Sequence, residues 1–213
     1  MKTKKMIITN RGENMAEVLN EVEHYIAGQN MSKKQGMHFR LLAEETVGMV
    51  RNIAGDFTAY CWAEGDLGEH RIFLEGKAEL DSEERDRILA LSKSGGNILA
   101  KGFMGKIKEM IEIGEMNYRE IGRESILQYG VTMPTSADAL LASSLALDMT
   151  ESFWSLQTYR ENIGQQEESG ALPDEVQRAA DELEQSIVAN LADDVQVGTL
   201  NGKIKLVIIY RGR

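Results

Sequence analysis

A chain of 213 residues, 42% hydrophobic and 27% charged, is long enough to bury a sizeable core and has the composition of a globular protein. Its formal net charge of −10 leaves no basic excess to displace counterions from a phosphate backbone, which argues against nucleic-acid binding as the main activity. Cys61 is the only cysteine, so no intrachain disulfide can form, and a reducing, cytoplasmic setting is expected. The start MKTKKMIITN lacks an apolar h-region, and no run approaches the roughly 18 apolar residues of a membrane span.

In chain order, Lys5–Thr9 is a short apolar run before the turn-like Asn10-Arg11-Gly12 and reads as a first strand. Asn14 is placed to cap a helix whose Met15, Val18, Leu19, Val22, Tyr25 and Ile26 recur at helical spacing, ending at Gly28. Ser32 is placed to cap the next helix, with Phe39, Leu42, Ala43, Thr46, Val47, Val50 and Ile53 on one face. Phe57–Ala63 and His70–Leu80 read as a hairpin around the turn Glu64–Gly68, with one face buried.

A short helix follows from Asp81 through Leu91, then the glycine-dotted loop Ser92–Gly105 and a helix marked by Ile107, Met110 and Ile111. Ser136 begins a long helical pattern through Leu141, Leu145, Met149, Phe153 and Leu156, widened by Leu140, Leu147 and Trp154. Pro173 and Asp174 start another, with Val176, Ala180, Leu183, Ile187 and Leu191 aligned on one face. Val195–Leu200 and Lys203–Tyr210 flank Asn201-Gly202, a strong hairpin signal because a type I′ turn needs positive φ at both central positions. The expected fold is α+β: a two-layer sandwich with a mixed, mostly antiparallel sheet of about five strands and helices on one face. The whole of 1–213 is read as a single domain, with a helical insertion at 114–172.

No P-loop, nucleophile-elbow or dinucleotide glycine pattern occurs. His24, His38 and His70 have no ligand spacing, so a zinc site is not expected. What does carry chemistry is a set of three stretches in a fixed order. The first is LLAEETVGMVRNIAG (41–55), with adjacent Glu44 and Glu45. The second is EGKAELDSEERDRIL (75–89). The third is SGGNILAKGFMGKIKEMI (94–111), with Gly95, Gly96, Gly102 and Gly105 beside Lys101 and Lys106.

That layout resembles the GHKL ATP-binding fold shared by gyrase and sensor histidine kinases, the histidine kinase-like ATPases. Within it, the chain looks most like the small anti-sigma-factor serine kinases. The resemblance covers roughly 1–113 and 173–213. It implies that Glu45 is the catalytic base or water-orienting group, and that Glu75 takes the adenine-binding Asp position. It also implies that Gly95, Gly96, Lys101 and Gly102 form the lid over the ATP phosphates. Where the family's magnesium-binding Asn is expected, four residues past Glu45, stands Met49. A thioether is a poor ligand for Mg²⁺, which takes hard oxygens. Aligning on Glu44 puts Gly48 there instead, and Asn52 is two turns from Glu45, roughly 10 Å away. The metal site therefore reads as lost.

By strand alternation Glu75 points away from Ile72, Leu74 and Ala78. Either a bulge intervenes or Gly76 is the true equivalent. The plain alternatives are a solvated helix face for Glu44 and Glu45, an exposed strand position for Glu75, and an ordinary loop for 94–105. The resulting expectation is a cytoplasmic regulatory protein that binds a protein partner or a second copy of itself, with nucleotide binding weak or lost. ATP is the candidate ligand, and no membrane or nucleic-acid partner is expected. The alternative is a divergent, active ATP-dependent serine kinase or ATPase that uses Glu45 as base.

Overall fold

The computed structural model describes residues 1–53, 56–66, 68–79, 152–168, 174–200 and 203–212. Within them the elements run β1 (Met6–Thr9), α1 (Met15–Ala27), α2 (Lys33–Val50), β2 (Asp56–Asp66), β3 (Glu69–Glu79) and β4 (Ser152–Ser155). They continue with α3 (Leu156–Glu168), α4 (Asp174–Gln185), α5 (Ile187–Leu191), β5 (Asp194–Leu200) and β6 (Lys203–Tyr210). The helix expected at 81–91, the loop and helix of 92–111, the Ser136 helix before residue 152 and the Asn201-Gly202 turn lie outside the described residues.

The strands form one six-stranded sheet in the order β1-β2-β3-β6-β5-β4, and each pairing is antiparallel. The α+β class holds, but the sheet is wholly antiparallel among the described residues rather than mixed. Its two hairpins meet where β3 pairs with β6, bringing Ile72 opposite Ile208 and His70 opposite Tyr210. Central and C-terminal parts of the chain thereby share one sheet.

Local sequence accounts for the first helices. Ser32 and Gln35 form a reciprocal capping box at the start of α2, as Ser32's position predicts. Asn14 acts differently from the expected cap. It adopts the left-handed conformation, φ 55°, makes no side-chain cap bond, and donates from Nδ2 to the Ile7 carbonyl at 2.9 Å. Asn tolerates this conformation better than most residues, and here its side chain ties α1 back to the edge strand.

The core lies between the helices and one face of the sheet. Val18, Val22 and Tyr25 of α1, Phe39, Leu42 and Val50 of α2, and Leu156 of α3 meet Ile8, Phe57, Ile72, Leu74 and the β6 row Ile204, Leu206, Ile208 and Tyr210. Each fully buried side chain of this size stabilises the fold by about 1.5–3 kcal/mol. The opposite face departs from the one-sided alternation expected of the hairpins. Trp62, Phe73, Val207 and Ile209 point to that side, yet none is more than 6% exposed. Ile72-Phe73-Leu74 and Val207-Ile208-Ile209 are continuous apolar runs, the signature of strands buried on both faces. Trp62 and Phe73 stack there with ring centroids 4.8 Å apart.

Two helical readings are corrected. The pattern from Ser136 does not run unbroken through Leu156: residues 152–155 form β4, where Trp154 sits opposite Val197, and the helix starts at Leu156. Part of the segment expected as a helical insertion at 114–172 therefore belongs to the sheet. The helix from Asp174 also stops at Gln185. Ser186 takes an extended conformation and caps a new short helix by accepting from the Ala189 N–H at 3.2 Å. That break resets the helical phase, so Val188 and Ala189 are buried while Ile187 is 45% exposed.

Candidate functional site

Helix α2 is the element on which the sequence places the chemistry. Its buried stripe faces the sheet, and its other side presents Glu44, Glu45, Gly48 and Asn52, none of them buried. Glu44 is part of a charge chain, accepting from Arg40 at 2.9 Å while Arg40 also pairs with Glu23 of α1 at 2.9 Å. Glu45 is half-buried and makes no hydrogen bond or ion pair among the described residues. One turn on, a Cβ built at Gly48 would meet nothing within 4 Å among the described residues, which leave open space beside this face. Met49 instead turns inward and is 6% exposed within the core. Asn52 is exposed and spends its amide on the Gly48 carbonyl at 3.3 Å.

The β2–β3 register decides where Glu75 points. Pairing is continuous from Asp56 opposite Glu79 to Asp66 opposite Glu69, with no bulge. Glu75 thus shares the outer face with Tyr60 and pairs with Lys5 at 3.6 Å. Glu45 sits on a helix packed against the other face, so the two carboxylates do not converge. Gly76 holds the helix-side position. A Cβ there would lie 2.7 Å from both the Ala59 Cβ and the Thr58 carbonyl oxygen, and 2.9 Å from Phe57 Cζ. This glycine is explained by packing. Gly95, Gly96, Lys101 and Gly102 lie outside the described residues. Among the described residues no three His, Cys, Asp or Glu side chains come together as a metal site.

The structure gathers other groups that the sequence left scattered. At the end of the sheet, Phe39 is ringed by Tyr25, His70 and Tyr210, with centroids 5.5, 5.8 and 6.1 Å away. The Tyr25 hydroxyl lies 2.9 Å from His70 Nδ1, and the Tyr210 hydroxyl 3.3 Å from His38 Nδ1. Burial, with the nearby Glu64 charge, pushes the Tyr25 hydroxyl up to about 12. Burial, with the positive charge of the Met1 nitrogen, holds His70 below the ordinary imidazole value. No motif spacing announces this cluster. It arises because β3–β6 pairing sets His70 beside Tyr210.

Beside it opens a cleft of about 500 Å³, lined by residues that include Lys2, Glu64, Asp66, Glu69 and Arg71. Most of its charges are already matched. Lys2 pairs with Glu64 at 2.8 Å, and Glu69 accepts from Arg71 and, at 2.9 Å, from Arg211. Burial opposes ionisation of Glu69, but these two guanidinium partners outweigh it and lower its pKa. Cys61 is 2% exposed, and burial pushes its thiol up to about 12, so it is an inert core side chain.

The N-terminus of α3 offers no anion site, because a carboxylate of the chain already fills it. Asp194 accepts from the Gln157 N–H at 3.0 Å and from the Ser155 hydroxyl at 3.1 Å. Comparison with protein-family models, curated proteins and solved structures gives no match for this chain. No helix among the described residues is long and apolar enough to cross a membrane.

Proposed function

We propose that the chain is a cytoplasmic regulatory protein on a histidine kinase-like ATPase scaffold, of the anti-sigma-factor kind, acting by binding a protein partner or a second copy of itself. Nucleotide binding on this reading is weak or lost. The observation that carries it is Met49, which stands at the position of the metal-binding Asn and is turned into the core. Phosphoryl transfer depends on magnesium to neutralise the developing phosphate charge, so a thioether there removes a principal element of the catalysis. The outward-facing Glu75, paired with Lys5 on the far side of the sheet, supports the same conclusion for the adenine contact.

The second reading is a divergent, working ATP-dependent kinase or ATPase. It is favoured by Glu45, which is half-buried and unpaired among the described residues, and by the open space at Gly48 one turn away. Isothermal titration with ATP and ADP, with and without Mg²⁺, separates the two. The regulatory reading expects affinity no tighter than millimolar and little magnesium dependence. Micromolar, magnesium-dependent ATP binding, with turnover lost in Glu45→Ala, would establish the enzyme. Light scattering tests the second-copy form of the proposal, which predicts a dimer in solution.

A further inference from the structure

We propose that His70 and Tyr25 form an acid-sensitive latch holding the C-terminal half of α1 against the end of the β2–β3 hairpin. Tyr25 is 0% exposed, and its hydroxyl has no hydrogen-bond partner among the described residues other than His70 Nδ1, at 2.9 Å. With His70 neutral and protonated on Nε2, Nδ1 accepts the Tyr25 proton and both groups are satisfied. When a solvent proton binds His70, Nδ1 becomes a donor. The tyrosine must then accept, and its own proton turns into a buried space where the described residues give it no other hydrogen bond. A buried polar group stripped of its partner destabilises the contact that buries it. His70 is only half-buried, so solvent protons reach it.

Among the described residues no carboxylate forms an ion pair with His70 that would relieve this; Asp66, on the cleft, is exposed to solvent. From β2 comes Gly65, which lies so close to the Tyr25 hydroxyl that any side chain there would clash with it. From β6 comes Tyr210, which is bonded to His38 of α2. From α2 itself comes the uncharged Phe39. The Met1 nitrogen, donating to the Gly65 carbonyl at 2.8 Å, adds positive charge. Glu64 is paired with Lys2, Glu69 is occupied by Arg71 and Arg211, and Asp193 accepts from the Arg211 N–H at 2.6 Å. The remainder of α1 is anchored by Val18 and Val22. Acid therefore loosens residues 22–27 and the turn into α2 before the rest of the helix.

The test combines an NMR titration of the imidazoles with amide hydrogen exchange at pH 7.5 and 5.5, corrected for intrinsic rates. The latch expects His70 to titrate below about 6.5. It also expects protection in residues 22–27 to fall on acidification, by about tenfold for each pH unit separating the folded and free pKa values. Tyr25→Phe should move the His70 titration upward, since the neutral form loses its donor. His70→Gln should abolish the acid loss of protection, and His24→Gln, at an exposed position of the same helix, should keep it. Titration of His70 at or above the ordinary value overturns the proposal. So does a loss of protection that persists in His70→Gln. If that variant does not fold, the titration of the unmodified protein decides alone.

Discussion

Gly48 and Gly76 look alike in the sequence, and the space around each separates them. Gly48 lies inside a helix with nothing within 4 Å of a built Cβ. Gly48→Ala should therefore stabilise the protein by about 0.5–1 kcal/mol, by removing backbone freedom from the unfolded chain. Gly76 is pressed against Thr58 and Ala59. Gly76→Ala should destabilise by about 1–3 kcal/mol, as overpacking does. Denaturant unfolding measures both, and effects of the same sign would mean the local packing has been misread. Met49 gives the sharper residue-scale expectation. Met49→Asn supplies the ligand type that the proposed scaffold would call for but buries an amide in an apolar site, and should lose about 2–5 kcal/mol. Met49→Leu, close in volume, should stay within about 1.5 kcal/mol. A stable Met49→Asn variant that gains magnesium-dependent ATP binding would overturn the placing of residue 49 in a closed core.

At the scale of elements, α2 and α3 are started in different ways. For α2 the cap is local, Ser32 with Gln35 three residues later, and it was legible because both partners are near in sequence. α3 has a local cap as well, the Ser155 hydroxyl accepting from the Thr158 N–H at 3.3 Å, and it adds a second acceptor from another strand. Asp194, 6% exposed, accepts from Ser155, Gln157, Val195 and Gln196. No spacing rule joins residues 155 and 194, so the sequence could not announce it. Asp194→Ala would leave several of these donors without an acceptor in a partly buried place. It should destabilise by about 1–3 kcal/mol, with Asp194→Asn milder because one carbonyl oxygen remains. Equal melting temperatures for the unmodified protein and Asp194→Ala would remove this cap from the account of α3. The break at Ser186 belongs here too: the apolar stripe of 174–191 reads as one helix, and only the buried positions Val188 and Ala189 show the change of phase.

For the whole molecule, acid stability follows from groups whose folded-state pKa values are depressed. The fold favours neutral His70, so its contribution is complete above the free value near 6.5 and is lost as pH falls from there through the lower folded value. Glu69 is held ionised by Arg71 and Arg211 against its burial, so its contribution is present above 4.5 and is lost below that. Tyr25 and Tyr210, both raised by burial, act at the other end, where stability begins to fall as pH rises past 10. Denaturant titrations from about pH 2 to 8 should show level stability above about 6.5 and two stages of loss below it. Salt should weaken the Glu69 stage, since that group is partly exposed and its ion pairs are screened. A single stage beginning below pH 5 would remove His70 from this account.

Periodicity, with the local cap of α2, was enough to determine α1, α2, the strands of both hairpins and the α+β class. These depend on neighbours within a few residues, and the apolar stripe of α2 declares its buried side directly. Other features depended on which distant segments pair. The continuous β2–β3 register, not the identity of residue 75, turns Glu75 away from α2. Pairing with β5, not propensity, makes 152–155 a strand. The closure of β3 on β6 sets His70 beside Tyr210 and so creates the Tyr–His cluster. Helical and strand periods are properties of one stretch of chain. Register, shared faces and the surroundings of a titratable group are properties of two or more stretches, and only the tertiary structure sets them side by side.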